Sequence, residues 1–193
     1  MTQRMNARDA LAAVYAATSA RDIVVTTMTP ARDWMAMGVR PLDMVLVPSA
    51  MSHAPSMGLG LAIAQPGRRV IVCNGDGSML MNLGSLVSIV NAGVTNLVVL
   101  VFDNGTYEVT GSQPVPGAGV VNYAAVARGC GFTSVFEFSD LDQWHEAMPS
   151  VLAVGGPTLV WLRVEPVFGQ PGPKSPGPAA ERATRFMDAL RRT

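Results

Sequence analysis

Two hydrophobic patterns alternate along this chain. Continuous apolar runs read as buried strands, and segments whose apolar positions recur every three to four residues read as helices with one buried face. The runs are Asp22–Thr27, Met44–Val47, Arg69–Cys73, Thr95–Phe102, Ser134–Phe138 and Pro157–Val164. Between them, Asn6 caps a helix that passes through Leu11, Val14, Tyr15 and Thr18. Pro30 suits the first turn of a short helix through Trp34. Met57 to Ala64 reads as a helix packed closely through Gly58 and Gly60. Ser78 opens a helix with Leu83, Leu86, Val87 and Val90 on one face. Asn122 to Arg128 forms another, and Leu141, Trp144, Met148 and Leu152 line a further one. A terminal helix carries Phe186 and Leu190 one turn apart.

Strands that are apolar throughout, alternating with helices, require a parallel sheet covered on both faces. The expected architecture is therefore α/β: a doubly wound, mainly parallel sheet of about six strands with helices on both faces. Residues 1–193 read as a single domain, in which 166–178 form an extended arm rich in proline and glycine.

Composition narrows the function classes. Fourteen basic and 14 acidic side chains balance, which gives no electrostatic reason to expect nucleic-acid binding. Charged residues make up 15% and hydrophobic ones 49%, against disorder and in keeping with uncharged surface for partner subunits. No segment reaches the ~18 apolar residues of a membrane span, and the N-terminal stretch lacks the pattern of a signal peptide. A cytoplasmic protein is the expectation. Cys73 and Cys130 have no metal-ligand spacing and read as small buried hydrophobes.

Ligands of open α/β sheets bind beyond the carboxyl ends of the strands. Three such ends carry polar residues: Thr27-Met28-Thr29, Asn74-Gly75-Asp76-Gly77-Ser78 and Asp103-Asn104-Gly105-Thr106. Gly75 and Gly77 permit close approach of a ligand to the backbone, and a helix opening at Ser78 suits a phosphate. Asp76 is then an anion at an anion site, which is unfavourable unless a cation lies between them. A hard divalent ion such as Mg²⁺ satisfies both. Asn104 supplies a second oxygen and the carbonyl of Thr106 a third.

Gly75-Asp76-Gly77, a spacer of 25 residues, then Asp103-Asn104 resembles the thiamine diphosphate signature, with Asp103 in place of the usual first Asn. The resemblance runs from Arg21 to Leu190 and implies the diphosphate-binding domain of a thiamine diphosphate-dependent decarboxylase. It implies Mg²⁺ bound by Asp76, Asn104 and the Thr106 backbone oxygen. The cofactor would further meet Thr27, Gly75, Gly77 and Ser78, with Thr27 and Thr29 offering hydroxyl or backbone contacts to diphosphate. The stretch from Asp103 to Pro114 is similar to the corresponding loop of sulfopyruvate and phosphonopyruvate decarboxylases, as is the Arg185-Phe186-Met187 helix. Ser49-Ala50-Met51-Ser52-His53-Ala54 resembles their Gly-Ser-Met-Gly-His-Ala segment, with both glycines replaced. There the methionine is the wedge that bends the cofactor; Met51 takes that place, with Met57 as the alternative.

In such enzymes a Glu on a separate pyrimidine-binding domain activates the cofactor. The resemblance therefore implies the β subunit of a split 2-oxo acid decarboxylase, with a pyrimidine-binding α subunit as partner in a hetero-oligomer, or a homo-oligomer in its absence. Glu108, Thr110 and Gln113 are candidates for the substrate entrance. Arg32, or a cation from the partner, would meet an anionic substrate tail. His53 reads as either a cofactor neighbour or a satisfied polar residue, and His145 as surface. The alternative function is a non-catalytic module that binds thiamine diphosphate or a nucleotide.

Overall fold

A computed structural model describes residues 4–48 and 50–192. Ser49, the first position of the Ser49–Ala54 segment, lies outside the described residues.

Helix α1 (Ala7–Ala17) is capped by the Asn6 side chain, which accepts from the Arg8 and Asp9 N–H groups. It ends at Thr18, whose hydroxyl turns back to the Tyr15 carbonyl at 2.8 Å. Strand β1 (Ile23–Thr27) runs directly into α2 (Met28–Met37). Then come β2 (Asp43–Leu46), α3 (Ala54–Ala64), β3 (Val70–Gly75), α4 (Asp76–Leu80) and α5 (Gly84–Asn91). Strand β4 (Leu97–Asp103) is followed by a small hairpin, β5 (Thr106–Tyr107) and β6 (Gln113–Pro114). The chain closes with α6 (Tyr123–Gly129), β7 (Ser134–Phe138), α7 (Leu141–Ala153), β8 (Thr158–Arg163) and α8 (Ala179–Arg192).

Six strands form one sheet in the order β2-β1-β3-β4-β8-β7, every pair parallel. Side chains of a strand alternate between faces, and the two cores divide accordingly. Ile71, Cys73, Leu100 and Leu162 meet α1, α2 and α7 on one side. Val70, Val72, Val99 and Leu159 meet α3, α5 and α6 on the other, where Phe186 of α8 also packs. Each of the three tryptophans is buried and donates its ring N–H: Trp34 to Asp43, Trp144 to the Ala10 carbonyl and Trp161 to Asp103. Residues 166–178 contain no helix or strand. Beyond them the Arg182 guanidinium donates to the carbonyls of Val45, Val47 and Gly177, pinning α8 to the edge strand β2. No helix among the described residues is long and apolar enough to cross a membrane.

Three local expectations change. The helix after β3 is two pieces, with turns at residues 81–83 before Gly84. Its inner face is carried by Leu86 and Ile89, while Val87 is 56% exposed. Only Gly58 of the two α3 glycines makes a close approach: a Cβ there would lie 2.3 Å from Val72 Cγ2, whereas at Gly60 it would meet nothing within 4 Å. Gly58→Ala is therefore expected to destabilise by about 1–3 kcal/mol through overpacking, and Gly60→Ala to stabilise by up to about 1 kcal/mol through helix propensity. Thermal midpoints, shifting roughly 2–4 °C per kcal/mol, will separate the two.

The chain leaves β1 towards β2 and returns to place β3 on the other side of β1. That reversal opens a crevice at the carboxyl ends of β1 and β3.

Candidate functional site

The crevice holds a cleft walled by the start of α2 (Met28, Thr29, Asp33), the Gly75–Ser78 turn, Met51, and Asn104 to Val109 beyond β4. The sheet positions these walls: in the β3–β4 register Gly75 stands beside Phe102, so Asp76 and the Asp103-Asn104 pair emerge together.

Asp76 is 3% exposed, and none of the ion pairs among the described residues includes it. Its Oδ2 accepts the Gly105 N–H at 3.0 Å. Burial and the neighbouring Asp103 charge push its pKa up to about 7, against the opposing hydrogen bonds from Gly77 and Gly105. Asp103 is itself buried and takes the Trp161 ring N–H at 2.9 Å. The Tyr123 hydroxyl donates to the Asp76 carbonyl at 3.2 Å. Two buried carboxylates side by side are electrostatically costly when both are ionised; a proton on one of them relieves it, and so does an oxygen-binding divalent ion.

The residues of the other expected oxygens line the same cleft. Asn104 Oδ1 accepts the Thr106 N–H at 2.9 Å, which ties the two residues into one turn. Both line the cleft. Gly75 has open space where a Cβ would stand, so the backbone there is accessible. Gly77 is closed instead: a Cβ would lie 2.5 Å from the Tyr107 ring, which covers the turn. Ser78 is buried, and its hydroxyl accepts the Ser52 N–H at 2.9 Å, tying the 50–53 segment to the turn. The donor set therefore fits Mg²⁺, and the open backbone at Gly75 fits a close anionic ligand.

Met51 lines the cleft, whereas Met57 is 42% exposed on α3 and does not. Thr27 is fully buried, its hydroxyl has no hydrogen-bond partner among the described residues, and it does not reach the cleft; Thr29, the second residue of α2, does. His53 is exposed, with its Nδ1 donating to the Met51 carbonyl at 2.7 Å, and His145 is also exposed. Cys73 is buried and Cys130 half-buried.

The expected substrate entrance is only partly assembled. Thr110 and Gln113 are exposed and lie outside the cleft lining. Glu108 lines the cleft but points inward, 4% exposed, against Arg32. Arg32 spends its guanidinium on Glu108 at 3.1 Å and Asp33 at 3.0 Å. Sequence reasoning missed Asp33 and Tyr107. It also missed Arg4, whose guanidinium holds the Asp103 and Val164 carbonyls at 2.9 Å each. Arg4 enters from a remote segment and leaves no local pattern to read, whereas Asp33 and Tyr107 sit beside residues already singled out.

Comparison with known proteins gives the family and the fold. The family described as thiamine pyrophosphate enzyme, C-terminal TPP binding domain, matches residues 24–162. Phosphonopyruvate decarboxylase from Streptomyces viridochromogenes is 38% identical over 168 residues, covering 86% of this chain and 42% of that protein. Sulfopyruvate decarboxylase subunit beta from Methanothermobacter thermautotrophicus is 39% identical over 137 residues, covering 71% of this chain and 70% of the relative. The chain thus spans less than half of the phosphonopyruvate decarboxylase and about 70% of the β subunit. A solved structure described as a thiamin diphosphate-dependent enzyme from Mycobacterium smegmatis superposes with a TM-score of 0.71 at 19% identity, over 84% of this chain and 32% of the other, and has the same fold. With most of its length matched, and with a buried acid at the turn where that fold opens its crevice, the chain belongs to the thiamine pyrophosphate enzymes and comprises their C-terminal TPP-binding domain.

Proposed function

We propose that the chain is the β subunit of a split thiamine diphosphate-dependent decarboxylase whose substrate is a 2-oxo acid with a sulfonate or phosphonate tail. The observation that carries this reading is Asp76: a buried carboxylate beside Asp103, with no cation partner among the described residues, facing Asn104 and Thr106 across the crevice. In this reading Asp76 Oδ, Asn104 Oδ1 and the Thr106 carbonyl hold Mg²⁺. The backbone at Gly75, with Thr29 and Ser78 near it, receives the diphosphate. Met51 supports the bent cofactor from below.

When bound, the thiamine group supplies the electron sink for loss of CO₂ from the 2-oxo acid. This chain's residues bind and orient. The general acid–base step on the aminopyrimidine belongs to a Glu of a pyrimidine-binding α subunit, so the complete site forms between two polypeptides. Similarity to a protein named as a separate β subunit, over 70% of its length, supports that division.

Mixed with a pyrimidine-binding subunit, thiamine diphosphate and Mg²⁺, the chain is expected to release CO₂ from sulfopyruvate or phosphonopyruvate. Tight cofactor binding without CO₂ release from either would contradict the catalytic reading.

A further inference from the structure

Glu108 sits four residues after Asn104, and its carboxylate occupies the interior of the site. Its Oε2 accepts the Asn104 side-chain N–H at 2.9 Å and the Val167 backbone N–H at 3.2 Å. Its Oε1 lies 3.1 Å from Arg32 Nη1 of α2. Three separate segments therefore hold one carboxylate: the loop after β4, helix α2 and the start of the 166–178 arm.

On its opposite side the Asn104 amide oxygen accepts the Thr106 N–H at 2.9 Å. An ionised carboxylate only accepts and a backbone N–H only donates. The amide therefore has one admissible orientation, with its NH₂ on Glu108 and its oxygen on Thr106. Without Glu108 the amide nitrogen loses the partner that holds it.

We propose that Glu108 is a positioning residue for the metal centre. It fixes the Asn104 amide so that Oδ1 is the atom offered to the cation, while Arg32 balances its charge and holds the carboxylate away from the cation itself. The arm, through Val167, closes the third side of this clamp. The proposal rests on the reading of Asp76, Asn104 and Thr106 as the cation site. It replaces the expectation that Glu108 faces the substrate. Partners that orient a metal ligand typically contribute 10–100-fold to metal affinity.

The test is Mn²⁺ binding followed by electron paramagnetic resonance, with thiamine diphosphate present and the pyrimidine-binding subunit added. Thermal midpoints are measured on the same samples. Removing one partner of a buried ion pair strands the other charge, whereas removing both is often neutral. The double variant Glu108→Leu with Arg32→Met is therefore expected to melt within a few degrees of wild type while Mn²⁺ affinity falls about 10–100-fold. Glu108→Met, which leaves Arg32 its pair with Asp33, also lacks an acceptor and gives the same reading should the double variant not fold. Glu108→Gln keeps an acceptor for Asn104 and is expected to stay within about threefold of wild type, a rescue that a merely structural role does not predict. Wild-type affinity in the variants without an acceptor, or an equal loss in Glu108→Gln, overturns the proposal. Absence of Mn²⁺ binding by the wild-type protein overturns the cation site as well, so the two failures are distinguishable.

Discussion

Asp76→Ala is expected to abolish Mg²⁺-dependent binding of thiamine diphosphate, a loss larger than the roughly 100-fold that follows removal of a supporting partner, and to leave the fold intact. The reason is electrostatic. Asp76 is the charged member of the proposed oxygen donor set, whose other members, an amide and a backbone carbonyl, are neutral. Neutral oxygens alone do not replace the hydration shell of a small dication that gives up water reluctantly. The folded chain gains from the same change, because a buried carboxylate next to Asp103 is removed. Cofactor titration with and without Mg²⁺, beside a thermal melt, reads both effects. Unimpaired Mg²⁺-dependent binding by the variant would place the cation elsewhere.

Met51→Ala is expected to separate binding from turnover. The diphosphate contacts assigned to Gly75, Thr29 and Ser78 are untouched, so affinity for the diphosphate end stays near wild type. Truncation removes a side chain that lines the cleft. A reacting centre displaced by about 1 Å loses about 100-fold in rate, and that is the fall expected in kcat for the assembled enzyme. Met57 has no access to the cleft from its exposed position on α3, so Met57→Ala serves as the control with wild-type turnover. Equal turnover in the Met51 and wild-type enzymes would remove the wedge assignment.

Much of the fold was legible because both of its periodicities are strong. The β4 run, Leu97–Asp103, is buried at every position, and only a sheet covered on both faces accommodates such a strand. The Gly75-Asp76-Gly77 turn drew attention only through its pairing with Asn104: alone it reads as a plain capped turn, and a second apolar strand ending in Asp103-Asn104 is what points to a cation site. The break between α4 and α5 was not legible, because Met81-Asn82-Leu83 contains no residue that forbids a helix. Tertiary contacts decide it, including the Asn82 side chain reaching the Ser52 carbonyl at 3.2 Å.

The site was legible in its strand-end residues and illegible in its orientations. Thr27 and Thr29 are equivalent in sequence, but Thr27 is the last residue of a strand buried at every position, and the turn into α2 delivers Thr29 to the crevice. Glu108 read as a residue of the substrate entrance. Its burial depends on Arg32, 76 positions earlier, and on Val167, 59 positions later, and no local pattern encodes either meeting. Asp103 looked like a harmless replacement for Asn because it is not a metal ligand in the resembling enzymes. The structure sets its charge directly beside Asp76.

The central claim is that this chain holds the diphosphate end of thiamine diphosphate through a cation and needs a second polypeptide to complete the site. Calorimetric titration of thiamine diphosphate, with and without Mg²⁺, into the chain alone and into its mixture with a pyrimidine-binding subunit tests it most directly. The account predicts tight binding only in the mixture and only with Mg²⁺. Binding of equal strength without Mg²⁺, or no binding in any mixture, would contradict it.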